Sequence, residues 1–167
     1  LIQYTGGTPG TPKGAMLPHQ NLSANARQVA LVDPHSGEDD RIIGVLPLFH
    51  VFALTTVLNF SMEIGAEMVL LPRFEMDQVL KSIRRKPPTQ FFGVPTIYVA
   101  MNGLPDDKVP DLSAVRACIS GGAPLPLDVR ERFEQRTGAR VVEGYGLSET
   151  SPIIACNPLD GRVKDNS

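Results

Sequence analysis

The 167-residue sequence lacks several features that would assign it to a particular class of protein. It has no run of about 18 apolar residues, so no transmembrane helix is expected. It also has no excess of basic residues: the formal net charge is -2, whereas a dedicated nucleic-acid binder usually carries a basic face. Internal repeats and low-complexity segments are absent as well. With 42% hydrophobic and 20% charged residues, the composition is that of one ordinary globular domain that does not bind nucleic acid.

The small number of cysteines gives information about the cellular compartment of the protein. The chain has two cysteines, Cys118 and Cys156, and their spacing does not match that of a metal site. Two isolated thiols are typical of a reducing compartment, where disulfides are rare. We therefore predict free thiols and a cytoplasmic protein, with a disulfide as the less favoured alternative.

A stretch rich in glycine and threonine stands out near the beginning. From Tyr4 to Gly14 it holds four glycines, three threonines and one lysine, Lys13. Glycines let backbone N–H groups approach an anion closely, and hydroxyl oxygens suit Mg²⁺. A Walker A loop is excluded, because Lys13 is followed by glycine and not by Ser or Thr. The stretch is either another kind of phosphate-binding loop or a surface turn of unusual composition.

Along the rest of the chain, segments with strand and helix patterns alternate. The predicted strands are 1–4, 41–46, 67–71, 89–94, 115–120 and 140–143, and the predicted helices are 19–32, 51–62, 76–86, 95–101 and 127–137. Such alternation predicts an α/β fold with a largely parallel sheet and flanking helices. Residues 1–4 are expected to end a buried strand. Because ligands lie beyond the carboxyl ends of parallel strands, the loops after Tyr4, Leu46, Ser120 and Glu143 are expected to meet in one active site.

Three of these loops carry residues with two interpretations. His50, in Pro47-Leu48-Phe49-His50, is either a packed core histidine or a side chain beside a carboxylate or acyl substrate. The glycines of Ser120–Leu125 either make a strand-to-helix turn or permit the close approach of a flat ligand. In Glu143–Thr150, Tyr145 can stack on a base, and Glu149 can bind Mg²⁺. The alternative for Glu149 is a solvated carboxylate in a turn that Ser148 caps.

Together these motifs resemble the adenylate-forming superfamily, which includes acyl-CoA synthetases, luciferases and peptide-synthetase adenylation domains. The stretch Thr5–Gly14 is similar to its phosphate-binding loop, except that Pro9 stands where the family has a threonine. Pro-Leu-Phe-His, Gly-Gly-Ala-Pro-Leu and Tyr-Gly-Leu-Ser-Glu follow in the family's order. The segments Gln3–Gly7 and Glu143–Pro158 look most like long-chain fatty acyl-CoA synthetases.

The resemblance implies roles for individual residues. It implies catalytic roles for Thr5, Lys13, His50 and Glu149. It implies phosphate binding by Thr5, Gly6, Gly7, Thr8, Gly10, Thr11, Lys13 and Ser148. Adenine would lie against Gly121, Gly122, Ala123, Pro124, Gly144, Tyr145 and Gly146. His50 would line the acyl or carboxylate pocket, and Thr5 and Glu149 would hold Mg²⁺.

The implied activity is the conversion of a fatty acid and ATP to acyl-adenylate, followed by thioester formation with coenzyme A. ATP, Mg²⁺ and coenzyme A are therefore expected, and peripheral membrane association and a homodimer are compatible with the resemblance. Residues 1–167 are expected to form part of an adenylation domain, without the ribose-binding motif and the C-terminal lysine domain. Two alternatives stay open: adenylation of an amino or aryl acid, and a non-catalytic nucleotide-binding module, which Pro9 would favour.

Overall fold

A six-stranded sheet with helices on both faces forms the centre of the computed structural model, which describes residues 1–5 and 11–161. The strands are β1 (Ile2–Thr5), β2 (Lys13–Met16), β3 (Arg41–Gly44), β4 (Glu67–Leu70), β5 (Gln90–Gly93), β6 (Ala117–Ser120), β7 (Val141–Gly146) and β8 (Ile153–Cys156). The central sheet has the order β4-β3-β5-β6-β7-β8. Its first five strands are parallel and β8 is antiparallel, which confirms the predicted α/β fold.

The helices alternate with the central strands. They are α1 (His19–Ala30), α2 (Val51–Ala53), α3 (Phe60–Ile64), α4 (Met76–Arg85), α5 (Pro95–Asn102) and α6 (Leu127–Thr137). A π-helical segment, Leu54–Asn59, joins α2 to α3, so the predicted buried helix 51–62 is one continuous helix with an irregular middle. Short 3₁₀ turns occupy Asp106–Lys108 and Ser148–Thr150.

Consecutive residues of the central strands point to opposite faces, as the period of a strand requires. One face packs on α1 and on the helix from Val51 to Ile64, through Ile42, Phe92, Ile119 and Val142. The other face packs on α4, α5 and α6, through Ile43, Phe91, Cys118 and Val141. Both faces of the sheet are therefore covered, which is why these strands read as continuous apolar runs.

The prediction that residues 1–4 end a buried strand of the main sheet is wrong. β1 instead pairs antiparallel with β2 in a separate two-stranded sheet, with Thr5 opposite Lys13. Leu1, Ile2 and Tyr4 are more than half exposed. This small sheet contacts the 3₁₀ turn Ser148–Thr150, and that contact places the end of β1 at the edge where the main strands end.

Both cysteines are free thiols. Cys118 is fully buried, with its Sγ 3.7 Å from the hydroxyl oxygen of Tyr98, and burial raises the pKa of its thiol to about 12. Cys156, in β8, is partly buried, and desolvation raises its pKa to about 11. Within residues 1–5 and 11–161, no helix is long and apolar enough to span a bilayer.

Candidate functional site

Two adjoining cavities lie at the carboxyl edge of the central sheet. The smaller, of about 320 Å³, is lined by residues from four of the segments that the sequence singled out: Thr5, His50, Gly121–Gly122, and Gly144 with Gly146–Glu149. The larger, of about 740 Å³, extends along Ala123, Pro124 and Tyr145 to β8. Gly122, Gly144 and Gly146 line both cavities, so the two form one cleft.

Most of the predicted site residues within the described ranges meet in this cleft. The smaller cavity is lined by Thr5, His50, Gly121, Gly122, Gly144, Gly146, Ser148 and Glu149. Thr11 and Lys13 are exposed and line neither cavity. The predicted phosphate-binding residues Gly6, Gly7, Thr8 and Gly10 lie outside the described residues, as does Pro9.

Thr5 and Glu149 reach the same cavity from different sheets. Thr5 ends β1 and its hydroxyl donates to the Lys13 carbonyl at 3.4 Å. Glu149 lies in the 3₁₀ turn after β7 and is exposed. A hydroxyl and a carboxylate are hard oxygen donors, and Mg²⁺ in nucleotide sites usually takes one or two such ligands and completes its shell with phosphates and waters. The donor set therefore fits Mg²⁺ held jointly with a nucleotide.

A metal site built by the protein alone has no basis in the described ranges. No group of three or more His, Cys, Asp or Glu side chains there is close enough to hold a metal ion.

His50 is exposed and lines the smaller cavity, so the packed-core interpretation is wrong. It immediately precedes α2, and its Nδ1 accepts the backbone N–H of Phe52 at 3.2 Å. A ring nitrogen that accepts a hydrogen bond carries no proton, so a neutral His50 has its proton on Nε2. The start of the helix therefore selects the tautomer that can donate Nε2–H to an oxygen of a ligand.

Packing and backbone conformation within the protein favour glycine at three positions of the cleft. A Cβ on Gly121 would lie 2.9 Å from the ring of Phe52. A Cβ on Gly146 would lie 2.3 Å from the carbonyl oxygen of Pro152. Gly122 has φ +83°, a conformation that favours glycine. Packing and backbone conformation therefore account for glycine at these three positions, and the close approach of a flat ligand to Gly121 and Gly122 stays a prediction.

Tyr145 is 61% exposed and lines the larger cavity, where its ring is available for stacking. Sequence reasoning missed Glu143 beside it. The Glu143 carboxylate accepts the backbone N–H of Leu125 at 2.8 Å and so links the loop after β6 to β7. A carboxylate at the end of a buried strand was the available signal, and it was interpreted only as a strand residue.

Ala155, Cys156 and Asn157 complete the wall of the larger cavity. They belong to β8 or follow it, and the sequence did not predict this strand. The larger cavity is therefore bounded on one side by an element that sequence patterns did not reveal.

Comparison with known proteins shows the family of the chain. The sequence profile of the family described as AMP-binding enzyme matches residues 1–167. The chain is 46% identical to a long-chain-fatty-acid–CoA ligase of Bacillus subtilis over 169 residues, which are 100% of this chain and 30% of that protein. It is 40% identical to a feruloyl-CoA synthase of an Amycolatopsis species over 154 residues, which are 92% of this chain and 31% of that one.

A solved structure gives the same result. ATP-bound MatB from Rhodopseudomonas palustris superposes with a TM-score of 0.84 at 35% identity, over 96% of this chain and 31% of MatB. The chain thus spans about 30% of the length of the curated relatives named above.

Proposed function

The chain belongs to the AMP-binding enzyme family, and from this membership and the cleft geometry we propose that the whole protein is an ATP-dependent fatty acid–CoA ligase. Residues 1–167 would be part of its adenylation domain. The observation that carries the proposal is the convergence of Thr5, His50, Ser148 and Glu149 on one cavity, next to a second cavity with an exposed tyrosine.

In the first step of the proposed reaction, a carboxylate oxygen of the fatty acid attacks the α-phosphorus of ATP, and pyrophosphate leaves. The protein contributes positioning and charge stabilisation, with no covalent nucleophile. Tyr145 stacks on the adenine, Ser148 donates to the α-phosphate, and the neutral His50 donates Nε2–H to the acid. When bound at Thr5 and Glu149, Mg²⁺ offsets the negative charge of the phosphates.

In the second step, the sulfur of coenzyme A attacks the acyl carbon and AMP leaves with the electron pair of the acyl–oxygen bond. Both steps need the acyl group at the same place beside the α-phosphate. The smaller cavity, between His50 and Ser148, is where we place it.

Adenylation of an aryl acid is the second candidate for the substrate class. The 40% identity to a feruloyl-CoA synthase, over 92% of the chain, supports it. The open alternative of an amino acid has no comparable support among the relatives described above. A non-catalytic nucleotide-binding module would keep the stacking at Tyr145 but form no adenylate.

The full-length protein decides among these possibilities. We expect ATP- and Mg²⁺-dependent release of pyrophosphate and formation of acyl-CoA with a long-chain fatty acid, and little of either with ferulate or with amino acids. A preference for ferulate would transfer the proposal to aryl acids. Nucleotide binding without pyrophosphate release from any of these acids would contradict a ligase and favour the non-catalytic module.

A further inference from the structure

Two buried side chains make hydrogen bonds to the backbone of the segment from Ser148 to Ile153, which carries Glu149. The hydroxyl of Thr55, in the π-helical segment, donates to the carbonyl of Ser151 at 2.9 Å. Asn25, in α1, grips Ile153 at both backbone groups: its Nδ2 donates to the carbonyl at 2.8 Å, and its Oδ1 accepts the N–H at 2.9 Å. Thr55 is 0% exposed and Asn25 is 4% exposed. Neither side chain lines the cleft.

The held segment contains an uncommon backbone conformation. Ser151 has φ +78°, which is unfavourable for a residue with a Cβ, and its side chain is buried. Conformations of this kind persist only where surrounding groups enforce them, and they occur preferentially at functional sites. Thr55 bonds to the carbonyl of Ser151 itself and Asn25 bonds to both backbone groups of Ile153, so the two side chains fix the backbone at Ser151 and just after it.

Thr55 bonds to the loop, whereas the next threonine bonds within its own helix. Its neighbour Thr56 is equally buried, but the Thr56 hydroxyl donates to the carbonyl of Phe52, four residues earlier in the same helix. This is the usual bond of a threonine inside a helix. Thr55 lies at the start of the π-helical stretch and bonds outward. Short π-helical stretches within α-helices often occur at functional sites.

We propose that Thr55 and Asn25 are positioning residues that fix Ser148 and Glu149 opposite Thr5, and so set the affinity for Mg²⁺–nucleotide. This inference rests on the proposed function, because it assigns the segment a role in binding the nucleotide and its cation. Neither residue touches the substrate. They act through the backbone of the segment that follows Glu149.

Replacing each threonine by valine in the full-length protein tests the inference. Thr55→Val removes the bond to Ser151 and leaves a buried carbonyl unpaired, whereas Thr56→Val removes a bond within the helix and serves as the matched control. We expect Thr55→Val to raise the Mg²⁺ concentration for half-maximal activity and the KM for ATP by about tenfold. The KM for the acid should stay within about twofold, and Thr55→Ser, which keeps the hydroxyl, should restore the wild-type values.

Hydrogen exchange provides a measurement that does not depend on catalysis. The backbone N–H groups of residues 147–153 should exchange faster in Thr55→Val than in Thr56→Val, while those of the central strands exchange equally. If Thr55→Val does not fold, Asn25→Ala takes its place. Gln28→Ala is then the control, because Gln28 is exposed and bonds to Asn25 at 3.0 Å but not to the segment.

The two proposals fail in different ways. An active wild-type protein in which Thr55→Val and Thr56→Val share the same Mg²⁺ dependence and the same exchange overturns the positioning inference alone. A wild-type protein that releases no pyrophosphate with any acid overturns the proposed function, and with it the role of Thr55 in nucleotide affinity. Faster exchange in Thr55→Val would then still show that Thr55 holds the segment.

Discussion

The two ends of the central sheet use polar residues in opposite ways. At the amino end, Arg116 donates to Asp33 at 3.1 Å and to both oxygens of Asp40 at 2.8 and 2.9 Å. Thr89 also donates to Asp40, and Gln90 donates to it at 3.1 Å. Asp40 is 1% exposed in side chain, and its oxygens are fully used. This end of the sheet is closed by a polar network.

The carboxyl end has the same kinds of residue, and several of them lack such partners. Within the described ranges, Ser148 and Glu149 make no side-chain hydrogen bond or ion pair. The hydroxyls of Ser120 and Ser151 are buried there with no partner from the described part of the chain. Polar groups paired within the protein contribute to stability, whereas Ser148 and Glu149, which line the cleft, are available for a ligand. The comparison indicates that stability and binding are assigned to opposite edges of one sheet.

Removing Arg116 should have the largest effect and should act on stability alone. Arg116→Ala leaves Asp33 and Asp40 without their cation, and Asp40 is buried. We expect the free energy of unfolding to fall by about 3 kcal/mol in urea titration. Arg84→Ala is the control, because Arg84 is exposed and has no ion-pair partner in residues 1–5 and 11–161. Equal stability of the two variants would show that the network does not hold the amino end together.

Removing Glu149 should have the converse effect. In the full-length protein, Glu149→Ala should lower Mg²⁺-dependent pyrophosphate release by at least about a hundredfold, or about 2.7 kcal/mol, with little change in stability. Glu131→Ala, at an exposed position of α6, should leave both unchanged. A loss smaller than about tenfold with Glu149→Ala would rule out a metal-binding role for this carboxylate.

Gly146 tests whether the open edge also depends on close packing. Because a Cβ there would lie 2.3 Å from the Pro152 oxygen, Gly146→Ala must displace the segment after β7. We expect a loss of about 2 kcal/mol of stability, within the usual cost of overpacking, together with weaker ATP binding. Gly37→Ala is the matched control, because no atom lies within 4 Å of its added Cβ. ATP binding by Gly146→Ala equal to that of Gly37→Ala would show that the segment has room to adjust.

Lowering the pH should reduce the stability that the polar network at the amino end contributes. We expect this effect to be smaller than those of the three substitutions above. Burial alone raises the pKa of Asp40, but hydrogen bonds from Thr89, the Gly37 N–H and Arg116, with the charge of Arg116, bring it below the usual value of 3.8. A lowered pKa contributes stability above the unfolded-state pKa, and this contribution is lost as the pH falls through the folded-state pKa. The stability difference between wild type and Asp40→Asn should therefore narrow below about pH 4.

The control for this pH dependence is Asp39→Asn, since Asp39 is exposed. Its difference from wild type should be small and should vary little over the same pH range. Urea titrations at several pH values between about 7 and 3 measure both differences. A difference for Asp40→Asn that did not change with pH would contradict the assigned role of the network.

Sequence patterns predicted elements with local signals well. Helix α6 has the predicted bounds 127–137, because Pro126 precedes it and Gly138, with φ +75°, ends it. The five parallel strands of the central sheet were recognised because helices cover both faces of the sheet and the strands are therefore apolar runs. β1 was assigned to the wrong sheet, since four residues with strand propensity do not indicate which partner they pair with.

The sequence predicted many of the residues that line the candidate site. It did not predict the buried residues that hold the lining segments in place. The residues that line the cleft belong to short motifs with glycine, histidine or glutamate, whose chemistry is visible locally. Thr55 and Asn25 bond to residues 96 and 128 positions away, and no local pattern distinguishes them from other helical residues. β8 was missed for a related reason: it is recognised as a strand by its pairing with β7.

Reaction of the two thiols can report whether a nucleotide occupies the cleft. Cys156 lines the larger cavity, whereas Cys118 is fully buried in β6, so a thiol reagent should react with Cys156 first and with Cys118 only later. Because the thiolate is the reactive form and the pKa of Cys156 is about 11, labelling in the folded state should be slow at neutral pH and faster in mild alkali. Labelling of Cys118 should wait for unfolding. A nucleotide in the cleft should therefore slow the labelling of Cys156 without affecting that of Cys118. The two labelling rates would then report nucleotide binding and unfolding separately, with no substitution in the protein.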